Sequence, residues 1–498
     1  MRRVVEIEVH FVMKSATTLR GGSRISDLPI ALDSSIRNQS ARVHAALRSA
    51  IVEGRLQAGL QLPSSRSLAE QLGVRRNAIV AAYEHLASDG LLEARHGAGT
   101  YVAKDLPMPV GEASPVELSF APPRRRAFAL GHTFVEDDIL RRLGGYLRHH
   151  VLTAGAEEIG YGDPRGSARL RTEIAQHLAV HRGVRCDPEC IMIVSGTQHA
   201  LRLCVEALLA RGDAIWMENP GYYATQATLR TAGLKLVPVA VDDEGIDVAA
   251  GLCMKVKARA AYVTPSHQFP TGVTMSMRRR IALIDWARAN ESWIIEDDYD
   301  SEYRFAGPPL TALAGIGGER VIYVGTFTKI LFAGLRLAYM VLPPEIAARV
   351  IAIRATLDRF PPRFMQDAVA DLLADGSLAR HTRRMRGRYR EARDAVVATL
   401  REAAGDALQL YGPAQGLHLV ASLPDGLSRD DAVRIRERAN VDAKLLSETR
   451  LTAAGPEGFI LGYSGHPLGE LREAARRLGK AAREAVGKQP RQRPRPKR

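Results

Sequence analysis

The sequence predicts two folded parts, a small helical domain ending in a β-hairpin and a large α/β domain with a mostly parallel sheet. Three observations predict this organisation. The chain has 498 residues, which is long for a single hydrophobic core. Helical apolar spacing ends in a Gly-rich hairpin near residue 104, whereas helix and strand patterns alternate over residues 129–487. A proline-rich stretch separates the two patterns.

The composition is typical of a globular protein, with 46% hydrophobic and 25% charged residues. No stretch is long and apolar enough to span a membrane. Glu6, Glu8 and His10 interrupt any signal-peptide core behind the first arginines. Four cysteines are too few for a disulfide framework, and the pair in CDPEC lacks a second ligand pair at zinc spacing. We therefore expect a cytoplasmic protein with no membrane partner and no metal.

The net charge of +14 is concentrated at the two ends of the chain. Residues 37–104 contain nine basic and five acidic groups, and residues 488–498 contain six basic groups and no acid. A polyanion would therefore meet the ends of the chain. Prolines and the lack of apolar residues predict a disordered tail over 488–498. That tail either adds phosphate contacts or only improves solubility.

The first module, residues 36–104, reads as three helices followed by a hairpin. Gly54 ends the first helix, Ser64 or Ser65 begins the second, and Gly73 closes it before a tight turn. The segment LLEARHGAGTYVA then gives two strands around a Gly-rich turn. This order predicts a winged helix-turn-helix. The inward apolar positions of the helices are Val43, Leu47, Ala50, Ile51, Leu68, Ala69, Leu72, Ile79, Tyr83 and Leu86.

Basic side chains follow the surface that such a domain presents to DNA. They open the second and third helices and the wing, where major-groove and backbone contacts are made. A small helical domain with a solvated basic face would explain the charges equally well, but it would not explain the order of the elements. The candidate DNA-facing residues are Arg66, Arg75, Arg76, Asn77, Arg95 and His96.

The segment GRLQAGLQLPSSRSLAEQLGVRRNAIVAAYEHLASDGLLEARHGAGTYVA resembles the DNA-binding domain of GntR-type regulators over nearly its whole length. The resemblance implies that Arg66, Arg76, His96 and Gly97 contact DNA. Arg75 and Ala78 stand at positions where the family usually has Ser or Thr. These two differences affect the expected base preference more than DNA binding itself.

Two further segments match neither module. Residues 1–35 are interpreted as a leader. Residues 105–128 contain five prolines and no helical or strand periodicity, which predicts a semi-stiff linker.

Two segments of the second module suggest places for an anion and a planar ligand. In CIMIVSGTQHALRLCVEALLA, a strand ends at Gly196 and a helix begins at Thr197, which offers free backbone N–H groups to an anion. In WMENPGYYATQATLR, Tyr222 and Tyr223 follow a Pro-Gly turn, where an aromatic ring would either stack on a ligand or pack in the ordinary way.

Two other segments suggest charge chemistry. In SWIIEDDYDSEYRF, acids surround Tyr299 at a strand end, a pattern that fits a metal, a protonated pyridine nitrogen or a solvated loop. In VIYVGTFTKILFAGLRLAYMVL, Lys329 lies between apolar runs, and Arg336 suits a fixed anion. Together, a phosphate cradle, an aromatic ring, an acid and a lysine are the groups that hold pyridoxal 5′-phosphate.

A second resemblance rests on YGDPRGSARLR, SGTQHAL, ENPGYY, VTPSHQFPTG, IIEDDYDSEYRF and GTFTKILFAGLRLAY. These motifs resemble fold-type I aminotransferases over residues 155–345, and residues up to 487 match more loosely. The resemblance implies a mostly parallel sheet and a smaller C-terminal α+β subdomain. Fusion to a GntR domain is similar to MocR-type regulators, which use pyridoxal phosphate to sense a small amine.

This resemblance assigns a role to each matching residue. Lys329 would form the Schiff base, Asp297 would pair with the pyridine nitrogen, and Tyr299 would bond the phenolic oxygen. Tyr222 would stack on the ring, and Tyr161 would reach the partner subunit's phosphate across a dimer interface. The implied phosphate ligands are Gly196, Thr197, Gln198, Thr326, Thr328 and Arg336.

Three residues complete the implied site. His267 and Gln268 would lie beside the oxygen side of the ring. The arginine that holds a substrate carboxylate is missing from LGYSGHP, residues 461–467, which leaves Arg450 as the candidate.

The resemblances imply a homodimeric transcription regulator that binds a double-stranded DNA operator and senses an amine or amino-acid effector. The alternative is a working aminotransferase that carries a DNA-binding domain, since the residues for half-reactions are present. Catalytic turnover would indicate the enzyme, and release of the operator by the same amine would indicate the regulator. A third possibility, an architectural DNA-binding protein, would require no cofactor uptake.

Overall fold

The computed structural model describes residues 28, 30–106, 126–411, 414–453 and 455–487. The chain divides into two compact units, Met1–Ala121 and Pro122–Arg498. The predicted tail at 488–498, most of the predicted leader and most of the predicted linker lie outside the described residues. Within the described ranges, no helix combines the length and the apolar character needed to cross a membrane.

The first unit has the predicted three helices and hairpin. Ser64 accepts a hydrogen bond from the backbone N–H of Ser67 (3.2 Å) and so caps the second helix, and Gly73 ends that helix with φ +63°. In the antiparallel hairpin, Leu92 pairs with Val102. The elements are α1 (Gln39–Val52), α2 (Ser65–Leu72), α3 (Arg76–Ser88), β1 (Leu92–Arg95) and β2 (Gly99–Val102).

This unit begins before residue 36, the predicted boundary. Leu28 is buried in the same core as the three helices. The Gln71 side chain fixes it by accepting from Leu28 N (3.1 Å) and donating to Leu28 O (2.6 Å). The prediction that residues 1–35 are all leader is therefore wrong at its C-terminal end, where the short apolar run of Leu28, Ile30 and Leu32 packs on the helical core.

The second unit alternates helices and strands from residue 137 onward. Its first part contains α4 (Asp137–Thr153), α5 (Ala156–Ile159), α6 (Ala168–His181), β3 (Ile191–Val194), α7 (Thr197–Leu208), β4 (Ala214–Asn219), α8 (Tyr223–Thr231), β5 (Lys235–Asp242), β6 (Gly245–Ile246), α9 (Val248–Cys253), β7 (Ala258–Val263), α10 (Met277–Ala289), β8 (Trp293–Asp298), α11 (Leu313–Gly317), β9 (Val321–Thr326), β10 (Ala338–Val341), α12 (Pro344–Leu357) and α13 (Arg363–Ala374). Its second part contains α14 (Ser377–Ala404), β11 (Gln409–Tyr411), β12 (His418–Ser422), α15 (Arg429–Ala439), β13 (Lys444–Leu445), β14 (Gly458–Gly462) and α16 (Leu468–Gly487).

The larger sheet has eight strands in the order β3-β10-β9-β8-β7-β4-β5-β6. Strands β9, β8, β7, β4 and β5 are parallel, and β10 is antiparallel to both β3 and β9. This confirms the predicted, mostly parallel sheet. Since β3 runs in the same direction as β9, the carboxyl ends of β3, β4, β8 and β9 meet at one edge of the sheet.

The C-terminal part forms a four-stranded antiparallel sheet in the order β11-β12-β14-β13, which packs with α14, α15 and α16. This is the smaller α+β subdomain that the resemblance implied. Ala127 and Phe128 are buried in its core, and Phe128 pairs with Gly462. The predicted linker, 105–128, therefore ends before Ala127, because its last residues pack against strands more than 300 positions away.

Candidate functional site

A cavity of about 220 Å³ lies where the carboxyl ends of β3, β4, β8 and β9 meet the C-terminal subdomain. The structure brings ten of the predicted site residues together around this cavity. They are Gly196, Thr197, Gln198, Tyr222, Asp297, Tyr299, Thr326, Thr328, Lys329 and Arg336.

Lys329 follows β9 by three residues, and its Nζ donates to the carbonyl of Gly131 (3.3 Å). Burial lowers the pKa of this ammonium group, and the nearby carboxylates of Asp300 and Asp297 oppose that shift. A lysine with a lowered pKa has a larger neutral fraction, and the neutral amine is the form that attacks a carbonyl carbon. The cavity therefore contains a primary amine suited to bond an aldehyde.

Asp297 lies near the end of β8 and is almost fully buried. Its carboxylate accepts from the hydroxyl of Tyr262 and, at 3.5 Å, from Thr197 Oγ1. Burial raises the pKa of Asp297 to about 7. A buried carboxylate is stabilised by a cationic partner, and a protonated pyridine nitrogen would supply one here.

Groups suited to an anion lie at another end of the cavity, around Gly196 and Arg336. Gly196 has φ +142°, and a Cβ at this position would lie 3.2 Å from Nη2 of Arg336. α7 begins at the next residue, so its free backbone N–H groups start at this turn. The hydroxyls of Thr326 and Thr328 lie 2.8 Å apart at the end of β9.

Gln198 gives a direct test of whether these residues fit a phosphate. Its Oε1 accepts from Thr228, but its Nε2 is buried and finds no hydrogen-bond partner in the part of the chain that the structure describes. A buried donor without an acceptor is unfavourable. A phosphate against Gly196 and Arg336 would supply the acceptor. The residues therefore fit pyridoxal phosphate, with the phosphate at α7 and the aldehyde near Lys329.

Two predicted residues, His267 and Gln268, lie in a layer behind the cavity lining. His267 Nδ1 lies 2.8 Å from Asp300 Oδ2, and Tyr299 donates to the carbonyl of His267 (3.0 Å). Gln268 donates to the carbonyl of Pro220 (2.9 Å). Their contacts orient Tyr299 and the Pro-Gly turn, so any effect on a ligand passes through those neighbours.

Tyr161 and Arg450 also lie away from the cavity lining. Tyr161 is 82% exposed, and its ring meets Phe360 edge-on. Arg450 Nη1 donates to the carbonyl of Gly455 (2.9 Å) within its own loop. In the chain as described, neither residue meets the cofactor cavity, although the exposure of Tyr161 is compatible with a contact to another subunit.

Sequence reasoning missed several residues of the site. Tyr262 could have been noticed as a hydroxyl-bearing residue in the apolar strand β7, next to the acid-bearing strand β8. Leu417 and His418 come from the C-terminal subdomain, and no local pattern points to them. The missed lining residues are Leu130, Gly131, Thr264, Phe269, Ala333, Leu417 and His418, while Tyr223, the second aromatic after the Pro-Gly turn, also lines the cavity.

In the first unit, the seven predicted DNA-facing residues are all exposed. Arg76 opens α3 and its Nε donates to Ser65 Oγ (3.3 Å), which joins the starts of α2 and α3. The guanidinium of Arg95 lies 4.4 Å above the ring of Tyr101 on the hairpin. The basic groups thus lie at the helix starts and on the wing, where such domains contact DNA.

Two family models match the chain, one for each unit. Residues 39–102 match bacterial regulatory proteins of the gntR family, and residues 147–478 match aminotransferase class I and II. The probable rhizopine catabolism regulatory protein MocR of Rhizobium meliloti is 35% identical, over 88% of this chain and 93% of the relative. The chain belongs to the MocR-type regulators. A MocR-type regulator joins a DNA-binding domain to an aminotransferase-like domain, and this chain has both.

Other relatives agree with this assignment. The HTH-type pyridoxine biosynthesis transcriptional regulator PdxR of Corynebacterium glutamicum is 32% identical, over 90% of this chain and 97% of the relative. The second unit is similar to LysN, an α-aminoadipate aminotransferase of Thermus thermophilus solved with N-(5′-phosphopyridoxyl)-L-leucine. The TM-score is 0.66 at 27% identity, over 72% of this chain and 92% of LysN. The cofactor of this MocR-type chain is pyridoxal 5′-phosphate.

Proposed function

We propose that this MocR-type regulator senses a small primary amine at the cofactor cavity and changes its binding to a DNA operator in response. One observation carries the proposal. A single chain combines a gntR-type DNA-binding domain with a cavity lined by Lys329, Asp297 and Arg336. DNA binding implies action in the cytoplasm, where bacterial DNA lies.

When bound, pyridoxal phosphate supplies an aldehyde carbon that holds one primary amine at a time. Arg336 and the start of α7 would retain the phosphate, and Asp297 would pair with the ring nitrogen while the amine is exchanged. Lys329 Nζ would then be free, with Asp300 and Asp297 as its nearest acids. Exchange therefore moves a positive charge within a buried region, which favours one local packing over another.

Tyr222 and Tyr299 would position the ring in this process. Both line the cavity, and the ring of Tyr222 also packs edge-on against Phe269 at 5.3 Å between centroids. Two locked aromatic groups hold a planar ligand in one orientation. The roles of these residues are the ones the family resemblance implies.

We further propose a homodimer, since helix-turn-helix regulators commonly read two half-sites with two copies. Large apolar side chains are exposed around the end of α4 and α5, and another is exposed at the end of α12, where a partner would cover them. They are Val151, Leu152, Ile159, Tyr161 and Leu357. The effector alters operator affinity only if it binds two conformations of this dimer unequally.

The test combines two readouts in one sample. Full-length protein loaded with pyridoxal phosphate is titrated with a panel of amines and amino acids, and both the visible spectrum and release of a bound operator are recorded. We expect an active amine to change both at the same concentration. Lys329→Ala should remove the absorption band of the lysine-bound cofactor, whereas the exposed Lys235→Ala should keep it. An unchanged spectrum in Lys329→Ala would contradict the role of this lysine.

A second candidate function is aminotransfer, because the same cavity presents a lysine with a lowered pKa beside the predicted cofactor ligands. Lys329, once free, could carry a proton to or from a bound amine. Measurable turnover with an amino donor and a keto acceptor, without operator release, would favour the enzyme over the regulator.

A further inference from the structure

We infer that the effector is a primary amine that has no carboxylate on the carbon next to its nitrogen, and that the rest of the molecule is apolar or aromatic. This inference rests on the proposed function, because it concerns the chemistry of the ligand that enters the same cavity. It follows from which cations and which donors line that cavity, and from where the apolar side chains lie.

Three lining residues could in principle hold a carboxylate by charge, namely Lys329, Arg336 and His418. Lys329 is the amine that the effector replaces. Arg336 lies against Gly196 at the phosphate end of the cavity, where its charge is matched by the cofactor. Only His418 is left for an effector carboxylate.

His418 is unsuited to that task. Its Nε2 lies 3.1 Å from the carbonyl of Pro270, and a carbonyl only accepts, so Nε2 carries the hydrogen. Burial lowers the pKa of His418 to about 3, and repulsion from His267 and Lys329 acts in the same direction. The ring is therefore neutral, and its Nδ1 is an acceptor with no hydrogen to donate to a carboxylate.

The remaining lining beside Lys329 is largely apolar and contains no further cation. Phe269 and Leu417 line it together with the hydroxyl residues Tyr223 and Thr264, and Thr264 Oγ1 already donates to Glu218 (2.7 Å). Phe269 belongs to a buried apolar cluster with Val420, Leu446 and Ile460. A carboxylate on the carbon next to the nitrogen cannot move far from Lys329. It would lose its hydration against this wall without gaining a cationic partner, which is unfavourable.

Two other cations of this unit, Lys444 and Arg450, lie outside the lining. Lys444 Nζ pairs with Glu448 (3.3 Å) and lies 4.0 Å from the centre of the Tyr223 ring. Arg450, the residue that the sequence predicts for this role, donates from Nη1 to the carbonyl of Gly455, while its buried Nη2 finds no partner among the described residues. Neither is among the residues that line the cavity. Within the described ranges, therefore, the lining of the cavity offers an amine ligand a largely apolar wall and no cation that is free to hold a carboxylate.

Matched ligands separate this inference from the proposed function. Cofactor-loaded, full-length protein is titrated with three pairs that differ only by the carboxylate: phenethylamine and phenylalanine, 3-methylbutylamine and leucine, propylamine and 2-aminobutyrate. The visible spectrum and the heat of binding are both recorded. We expect the amine of a pair to half-saturate the protein at a concentration at least tenfold lower than the amino acid. Equal or tighter binding of the amino acids overturns the inference and leaves the proposed function standing.

A protein that responds to none of the six ligands contradicts the proposed function itself, and the inference falls with it. Two variants sharpen the result. Leu417→Arg adds a cation to the wall and should improve phenylalanine binding at least tenfold relative to phenethylamine, whereas Leu417→Met should not. Arg450→Ala should leave the ratio within each pair unchanged. A selective loss of amino-acid binding in Arg450→Ala would show that this arginine holds the carboxylate and would overturn the inference.

Discussion

Asp297 and Lys329 depend on each other's charge in the absence of a ligand. Burial shifts the pKa of the acid upward and that of the amine downward, and the attraction between the two groups opposes both shifts. A buried charge that is incompletely paired lowers the stability of the folded chain, and a ligand of opposite charge relieves that cost when it binds. We therefore expect the cofactor to stabilise the protein through these two residues.

Asp297→Asn should stabilise the cofactor-free protein at neutral pH. The pKa of Asp297 is raised from an ordinary 3.8 to about 7, so between pH 4 and pH 7 the unfolded chain loses a proton that the folded chain keeps. The free energy of unfolding of the parent therefore falls as the pH rises through this window. Asparagine does not titrate, so the variant lacks this fall. One pKa unit corresponds to about 1.4 kcal/mol, so the gain is a few kcal/mol at most. Thermal melting from pH 4 to pH 8 measures it.

The sign should reverse with the cofactor present. Pyridoxal phosphate should raise the melting temperature of the parent more than that of Asp297→Asn, because an amide cannot neutralise a protonated ring nitrogen. The exposed Asp243→Asn should follow the parent under both conditions. A variant that melts like the parent at every pH would contradict the account of this buried acid.

At the level of elements, the start of α7 concentrates the anion-binding groups. The helix supplies backbone N–H groups, and the turn before it must pass close to Arg336. Only glycine allows both the positive φ and the close approach at position 196. We propose a parallel role for the start of α3 in the first unit, where Arg75, Arg76 and Asn77 are exposed together.

Gly196→Ala should weaken pyridoxal phosphate binding at least tenfold. The new Cβ would lie 3.2 Å from Arg336 Nη2, and alanine strains a backbone with φ +142°. Gly212→Ala is a matched control, since Gly212 also has a positive φ (+94°) but a Cβ there would have no atom within 4 Å. The control should lose about 1–3 kcal/mol of stability from strain and keep its cofactor affinity. Equal affinities of the two variants for pyridoxal phosphate would contradict the assignment of the phosphate to this turn.

Arg76→Ala should weaken DNA binding by about 1–3 kcal/mol if the side chain contacts a base. If it contacts a phosphate, the slope of log binding constant against log salt concentration should become shallower by about 1. The exposed Arg48→Ala, near the end of α1, should do neither. The measurement is a binding titration at several salt concentrations, on double-stranded DNA that the parent protein selected from a random pool. Equal losses in both variants would point to general charge attraction in place of a recognition helix.

At the level of the whole molecule, the exposed apolar side chains near α5 are the feature that a single chain leaves unexplained. Leu152 is 71% exposed, Ile159 is 72% exposed and Tyr161 is 82% exposed. The ring of Tyr161 lies against Phe360, which joins this stretch to the segment between α12 and α13. A second copy that covered this face would complete the proposed dimer.

Leu152→Glu should therefore shift the protein from dimer to monomer, because a buried carboxylate without a partner opposes association. Val180→Glu places the same charge at a position that is 75% exposed on α6, outside this stretch, and should leave the dimer intact. Sedimentation velocity over a range of concentrations distinguishes the two results. A dimer that survives Leu152→Glu at every concentration would place the interface elsewhere.

Much of the fold and of the site follows from local patterns. Strand ends, helix starts and obligatory glycines leave short-range signals, and Gly196, Asp297 and Lys329 each occur at such a place. Parallel strands bring their carboxyl ends together by geometry, so residues read one motif at a time converge on one cavity. The DNA-binding domain is predictable for the same reason, since its caps and turns are local.

Packing between distant segments decided the rest. His418 and Leu417 reach the cavity only because the C-terminal subdomain docks beside the sheet edge, and Arg450 stays away from it for the same reason. Phe128 joins a core built from Tyr303 and many residues after 380, although its neighbours in sequence resemble a linker. Such contacts depend on how two surfaces fit and carry no periodic signal along the chain. The order of residues therefore predicts where the cofactor binds, and the tertiary structure determines which amine can reach it.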